Sequence, residues 1–337
     1  MTRTPHGDVV QGLGQEVERL LRILPSPTEA WQPSDYLPDF ASETWPTRLA
    51  TLRAEAARLP DDLLVVLVGD MVTEEALPSY AMALNQLVQD EQGTSPGPWP
   101  RWLRGWTAEE NRHGDLLNTY LRLSGRVDMR AAEVTIQQLL VGGFDSSSQG
   151  DPYNLLVYTS FQERATRLSH RATGALAERA GAPGLARICR VIAGDEARHE
   201  TFYQRMMGAV LDQDPDGGVL AFAGMLERQI AMPGFTMGGP DDPDLFRRFA
   251  LVAQRLGVYS AADYASIVAH LVKTWRIADR VVAGDAARAQ HWLCRAPERY
   301  ARLAERMAVS AARQPQSGEA WAWLSRPSSP SLMSLPA

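Results

Sequence analysis

The sequence predicts an all-α protein of about ten helices in one domain, and three observations predict it. Apolar residues recur at three- and four-residue spacing from end to end, strand-like alternation is nearly absent, and clusters of Pro, Gly, Asp and Ser interrupt the pattern where helices would end. At 337 residues, 45% hydrophobic and 22% charged, the chain is long enough to fill a sizeable core. No shift in composition marks a second domain.

Residues 1–28 read as an N-terminal arm, partly flexible, which leads into the first strong break, "PSPTEAWQPSDYLPD" at 25–39. The next two stretches, "TWPTRLATLRAEAARLP" and "DDLLVVLVGDMVTEEALPSYAMALNQLVQ", carry clear helical periodicity. "EQGTSPGPWP" at 91–100 closes that block. Further breaks fall at 142–152 ("GGFDSSSQGDP"), 212–218 ("DQDPDGG") and 232–244 ("MPGFTMGGPDDPD"), with the longest helical segments between the second and fourth breaks. "RPSSPSLMSLPA" from Arg326 reads as a disordered tail, which leaves 29–325 as the folded domain.

Composition narrows the function. A net charge of −6 argues against bulk nucleic-acid binding, which relies on clustered positive charge. The longest apolar run, "LLVVLVG" from Leu63, is far below the roughly 20 residues of a membrane span, so no membrane insertion is expected. Cys189 and Cys294 form neither a disulfide framework nor a CxxC pair, and the first residues lack an apolar core of signal-peptide length. The cytoplasm is the expected compartment.

The chemistry lies in a repeated motif. "EENRHG" at 109–114 and "DEARHE" at 195–200 each place a histidine three residues after a glutamate, using two of the six histidines. On a helix, residues three apart share one face, so Glu110 with His113 and Glu196 with His199 can each grip one ion. A lone glutamate precedes each pair at a similar distance: Glu74 in "GDMVTEEALPSY" and Glu163 in "YTSFQERAT". The order Glu, then Glu-x-x-His, occurs twice.

Both lone glutamates interrupt apolar helices, where an unpaired buried charge costs on the order of several kcal/mol. Two divalent iron ions would balance the four carboxylates, and the imidazoles would complete the shells without adding charge. Oxygen-rich ligation with one nitrogen per metal suits iron or manganese better than zinc or copper. The donor set and its order match a ferritin-like four-helix bundle with additional helices.

The stretches "WQPSDYLPD", "VVLVGDMVTEEALPSY", "WTAEENRHGDLLNTYLRLSGRVDMR", "YTSFQERAT", "IAGDEARHET", "DPDGGVLAFAGM" and "AQRLGVYSAADYA" together resemble the soluble acyl-acyl-carrier-protein desaturases of plants and their bacterial relatives. The likeness runs from near Trp31 to near Trp323. It implies iron ligands Glu74, Glu110, His113, Glu163, Glu196 and His199. It also implies Asp195 behind the ligands, Trp31 near His113 on an electron route, and Thr166 facing the side where O₂ is activated. Asp195 has independent support, since metal-bound imidazoles usually donate their other N–H to a carboxylate.

The activity implied is O₂-dependent removal of two hydrogens from adjacent methylenes, leaving a cis double bond in a saturated acyl chain on acyl carrier protein, within fatty acid biosynthesis. Two Fe²⁺ ions are the implied cofactor, ferredoxin the electron donor and a homodimer the assembly. Unactivated C–H bonds are beyond side-chain acids and bases, so the metal carries that step. A hydroxylase or oxygenase acting on a carrier-bound chain is the nearest alternative, and a ferritin-like iron-oxidising protein a more distant one.

Departures from the family pattern fall where a substrate channel is expected. "PYNLLVYTSFQE" has Leu155 where plant enzymes have a glycine, with Leu156 beside it, and Ala83 and Gln86 replace an expected Met and Thr. Changes of more than a methylene reset which chain length fits. For the acidic carrier, Arg247 and Arg248 in "LFRRF", or Arg198 beside His199, are the candidate positive rim.

Overall fold

The structure is a computed structural model, and it describes residues 5–88, 90–238, 242–311 and 320–324. Among these residues it contains fourteen α-helices and no strand beyond one isolated bridge between Val127 and Leu324. In chain order they are α1 (Pro5–Gly12), α2 (Gly14–Leu20), α3 (Pro33–Tyr36), α4 (Trp45–Ala56), α5 (Asp61–Glu74), α6 (Leu77–Val88), α7 (Pro98–Ser124), α8 (Met129–Gly142), α9 (Pro152–Arg179), α10 (Pro183–Gln213), α11 (Pro215–Glu227), α12 (Leu245–Leu256), α13 (Ala261–Thr274) and α14 (Gly284–Ala311). No helix among the described residues is long and apolar enough to cross a membrane.

The all-α expectation stands, but fourteen helices exceed the ten or so expected. Short helices account for part of the excess, because α1, α2 and α3 fall in stretches read as arm or break. Pro78 adds another. It has no N–H to offer the Glu74 carbonyl four residues back, so α5 stops at Glu74 and α6 restarts at Leu77. The Tyr80 hydroxyl then donates to the Thr73 carbonyl at 2.7 Å, satisfying a helix end that would otherwise be bare.

Three of the breaks read from sequence, at 91–100, 142–152 and 212–218, carry helix starts. Helices α7, α9, α10 and α11 each begin at a proline, whose missing N–H costs nothing in the first turn. Asp151 accepts from the backbone N–H groups of Tyr153 and Asn154, and Asp214 from that of Gly217. Gly125 ends α7 at φ 70°, a left-handed geometry that glycine adopts without penalty.

Within the N-terminal arm, α1 and α2 pack onto the bundle. Val10, Val17 and Leu20 are fully buried, and the Trp99 indole donates to the Val10 carbonyl at 3.0 Å. At the other end, Trp323 is buried, donates to Thr135 Oγ1 at 3.0 Å and accepts from the Asp128 N–H at 2.8 Å. The tail expected at 326–337 lies outside the described residues.

Two apolar cores occupy opposite ends of the long helices. One gathers Trp99 to Trp106 of α7, Tyr153 to Ala165 of α9 and Phe202 to Leu211 of α10, covered by α11, α13 and α14. The other gathers Leu116 to Leu121 of α7, Leu185 to Ile192 of α10 and most of α5, covered by α4, α8 and α12. Between them α7, α9 and α10 turn a band of acids and histidines inward, at residues 109–113, 163–170 and 195–200. The four-helix bundle of α5, α7, α9 and α10 is therefore greasy at both ends and polar at its waist.

Candidate metal centre

Each element delivers its side chain through helical periodicity. Glu110 and His113 stand one turn apart on α7, and Glu196 and His199 one turn apart on α10, while α9 gives Glu163 and α5 ends on Glu74. All six are buried, both histidines completely. Donor atoms of Glu74, Glu110, His113 and Glu196 lie within 4.8 Å of one another, and so do those of Glu110, Glu163, Glu196 and His199. The structure thus brings together all six residues singled out in the sequence, as two overlapping nests that share Glu110 and Glu196.

Both imidazoles turn Nδ1 into the nests. His113 Nδ1 lies 3.3 Å from Glu110, 3.4 Å from Glu196 and 3.8 Å from Glu74; His199 Nδ1 lies 2.7 Å from Glu110 and 3.4 Å from Glu163. These approaches lack hydrogen-bond geometry at both Nδ1 atoms and at Glu110 Oε1, so three buried polar atoms point inward without partners. Buried polar atoms in that condition are costly, and a cation is what would satisfy them. Four carboxylates and two imidazoles fit a pair of iron ions in donor type, number and charge.

The proton balance supports the same fit. Burial pushes the Glu163 and Glu196 carboxyls above their usual range, with neighbouring carboxylates adding to it. Burial also opposes charge at Glu110 and Glu74, but His113 with His199 holds the first low and His113 with His170 the second. Against their own burial, the carboxylates raise His113 and His199 well above the ordinary imidazole value. These opposing directions favour protons shared among the six groups over six separate charges.

Behind the nests runs a crossed network that the sequence reading saw only in part. Asp195, the acid before Glu196, meets His113 Nε2 at 3.3 Å on the opposite helix. Glu109, the acid before Glu110, meets His199 Nε2 at 2.8 Å. The two arginines of the motifs tie the acids together: Arg112 reaches Glu109 at 3.2 Å and Asp195 at 3.1 Å, and Arg198 reaches them at 2.9 and 2.6 Å. Glu109 was missed, although the acid preceding each Glu-x-Arg-His was its signal. Arg198, expected on a docking rim, commits its guanidinium to this network.

Trp31 is held from three directions. Its indole N–H donates to Asp195 at 3.0 Å, its ring stacks 6.1 Å from His113 at 7°, and the Arg112 guanidinium lies 4.6 Å over it. Thr166 donates back to the Gln162 and Glu163 carbonyls at 3.1 and 3.2 Å and faces a cavity. Two further donors were missed. The Trp106 indole donates to Glu163 Oε1 at 3.0 Å, and His170 Nε2 lies 2.8 Å from Glu74 Oε1. His170 sits two turns after Glu163 on the same face of α9, and that spacing was its only trace.

Two cavities meet at the centre. One is lined by Tyr80, Ala83 and Leu84 of α6, Leu155 and Tyr158 of α9, and Phe144. The other is lined by Asp70, Ser169, His170, Tyr259 and the half-buried Met232, Phe246 and Phe249. Thr73, Glu74 and Thr166 belong to both. Ala83 and Leu155 therefore stand where a channel was expected, but Gln86 and Leu156 do not. Gln86 is solvent-exposed a turn beyond the cavity, and Leu156, one position past Leu155, is rotated into the apolar core.

Comparison with known proteins agrees with this architecture. The family model described as Fatty acid desaturase matches residues 6–325. The chain is 50% identical over 292 residues to the chloroplastic stearoyl-[acyl-carrier-protein] 9-desaturase of Olea europaea, covering 86% of this chain and 75% of that one. It is 49% identical over 309 residues to the chloroplastic stearoyl-[acyl-carrier-protein] 9-desaturase 1 of Oryza sativa subsp. indica, covering 90% and 81%. The X-ray structure of DesA2 from Mycobacterium tuberculosis H37Rv superposes with a TM-score of 0.52 at 21% identity, over 81% of this chain and 96% of that one, which is a likeness of fold alone. With its buried acid and histidine nests in place, the chain belongs to the fatty acid desaturase family, among the acyl-acyl-carrier-protein desaturases.

Proposed function

We propose that this protein introduces a cis double bond into a saturated fatty acyl chain borne by acyl carrier protein, using O₂ and two electrons from ferredoxin. The balance is one saturated chain, O₂, two electrons and two protons giving one unsaturated chain and two waters. The observation that carries the reading is the meeting of two cavities at Glu74, one of six buried donors gathered in two nests. Its support in sequence is the near-50% identity to enzymes named for that reaction.

Glu74 with His113 would hold one iron ion, Glu163 with His199 the other, and Glu110 and Glu196 would serve both. When bound, the pair supplies the oxidising power that breaking unactivated C–H bonds demands. Everything else falls to the chain. Asp195 and Glu109 fix the tautomer of the imidazoles by accepting a hydrogen bond from each Nε2–H, which leaves Nδ1 free to bind an ion. Trp31, braced beside His113, is assigned to electron entry. Thr166 presents its hydroxyl at the junction of the cavities, where its bonds to the helix hold it still.

The acyl chain enters between Phe246 and Phe249 of α12, passes the junction, and ends against Leu84, Phe144 and Leu155. Only the methylenes held at the junction react, so the depth of the cavity beyond it sets the position of the double bond. Leu155 shortens that depth and Ala83 widens it, which makes these two the specificity residues. Carrier docking is assigned to the α12 face, where Arg247 pairs with Asp244 and Arg248 pairs with Asp242 while lying 4.5 Å over Trp321.

Residues 29–325 are taken as the catalytic domain. A homodimer and the cytoplasm complete the proposal; the two unpaired cysteines, Cys189 and Cys294, support a reducing compartment. The decisive experiment is anaerobic loading with Fe(II), then reduced ferredoxin, O₂ and a panel of acyl-carrier proteins, with each product weighed by mass spectrometry. The expected product has lost two hydrogens. A gain of one oxygen makes the protein a hydroxylase, and iron uptake with no altered chain refutes the substrate class.

A further inference from the structure

Glu74 occupies a position unlike that of the other inward-facing donors. They stand inside long helices, whereas Glu74 is the last residue of α5, at the negative end of that helix's dipole and at the wall of both cavities. A carboxylate placed there is repelled by its own helix and has open space to swing into. Its conformation must be fixed from elsewhere.

Two polar rungs between α5 and α9 supply the fixing. In the lower rung Asp70, one turn before Glu74, accepts from Ser169 Oγ at 3.2 Å and from Thr173 Oγ1 at 3.3 Å. In the upper rung the fully packed His170, between those two hydroxyl residues in sequence, meets Glu74 Oε1 at 2.8 Å. That contact leaves Oε2 as the oxygen turned toward His113, at 3.8 Å. Glu163 repeats the pattern: Oε1 is held by the Trp106 indole and Oε2 faces His199 at 3.4 Å.

We infer that His170 is a positioning residue, which pins one oxygen of Glu74 so that the other faces the nest and the side chain stays out of the acyl path. The inference rests on the two-ion reading above. His170 lines the second cavity and neighbours Cys189, but among the six inward-facing donors the one it meets is Glu74, so its action on the ions passes through Glu74. Asp70, by gripping Ser169 and Thr173, keeps α9 in the register that brings His170 to Glu74.

The test is anaerobic titration of the whole chain with Co(II), following its visible spectrum, and with Fe(II), counting bound ions. Wild-type protein should take two ions. His170→Leu should weaken one of the two about tenfold or more while changing the other less than about twofold. His170→Gln, whose amide N–H reaches as far as Nε2, should restore the weakened ion; His170→Asn, one methylene shorter, should not. Unchanged binding of both ions in His170→Leu overturns the inference, as does equal loss of both, or failure of Gln to do better than Asn. Should His170→Leu fail to fold, the Gln and Asn pair decides alone. Wild-type protein that takes up no pair of ions overturns the two-ion reading itself, and with it this one.

Discussion

The two halves of the centre use the same ligand types but support them differently. On one side Glu74 sits at a helix end and depends on an imidazole, His170; on the other Glu163 sits mid-helix and depends on an indole, Trp106. The histidines differ less, since each leans on an acid from the opposite helix, though Asp195 also receives Trp31 and Glu109 does not. A duplicated pattern has thus been given one rigid half and one half whose carboxylate is held only from outside its own helix. Where the chain ends a helix, a neighbour has to supply the stiffness.

Removing a shared carboxylate should have the largest effect. Glu110→Ala or Glu196→Ala should lose both ions and all turnover, whereas Glu163→Ala, His199→Ala or Glu74→Ala should lower bound iron toward one per chain while also abolishing turnover. Iron counting on purified variants separates the two classes; one full ion retained by Glu110→Ala would dissolve the idea of shared ligands. Full activity in Glu163→Ala or His199→Ala would strike that residue from the centre.

A smaller effect is expected from the supporting acids. Asp195→Asn and Glu109→Gln should each weaken metal affinity about tenfold to a hundredfold, acting on opposite ions. Only the first should also slow electron entry, because only Asp195 carries Trp31. Rapid-mixing reduction by ferredoxin measures that difference, and equal slowing in both variants would remove the assignment of Trp31.

Protons give a third comparison. Burial pushes the Glu163 and Glu196 carboxyls up and the carboxylates push His113 and His199 up, directions that favour bound protons which ligation displaces. Metal uptake should therefore release protons, and apparent affinity should rise as pH rises. Calorimetric titration in two buffers of different ionisation enthalpy reads the number released; zero release would contradict the proton-sharing nest. Smallest of all, Leu155→Gly should enlarge the cavity that Leu155 lines and shift relative kcat/KM toward longer chains by about tenfold, with iron content unchanged.

Much of this was legible in the sequence because helices make spacing into geometry. The Glu-x-x-His pairs needed only a turn of helix to become chelating faces, and the caps announced themselves through Pro98, Asp151, Pro152, Asp214 and Pro215. Pro78 was equally informative but sat inside an apolar run whose periodicity hid it. Glu109 was visible in the motif and passed over. His170, Gln86 and Leu156 are different: which face of α9 meets α5, and where α6 leaves the cavity, depend on packing between helices, and one-dimensional spacing does not carry that.

The crossed bonds from Glu109 to His199 and from Asp195 to His113 have a mechanical meaning. Helices α7 and α10 each brace the other's imidazole, so a slip along the shared axis or a roll about it would unseat both rings at once. The chain's own side chains thus key the alignment of the two helices, and half of the bundle taken alone would leave its histidine without a brace.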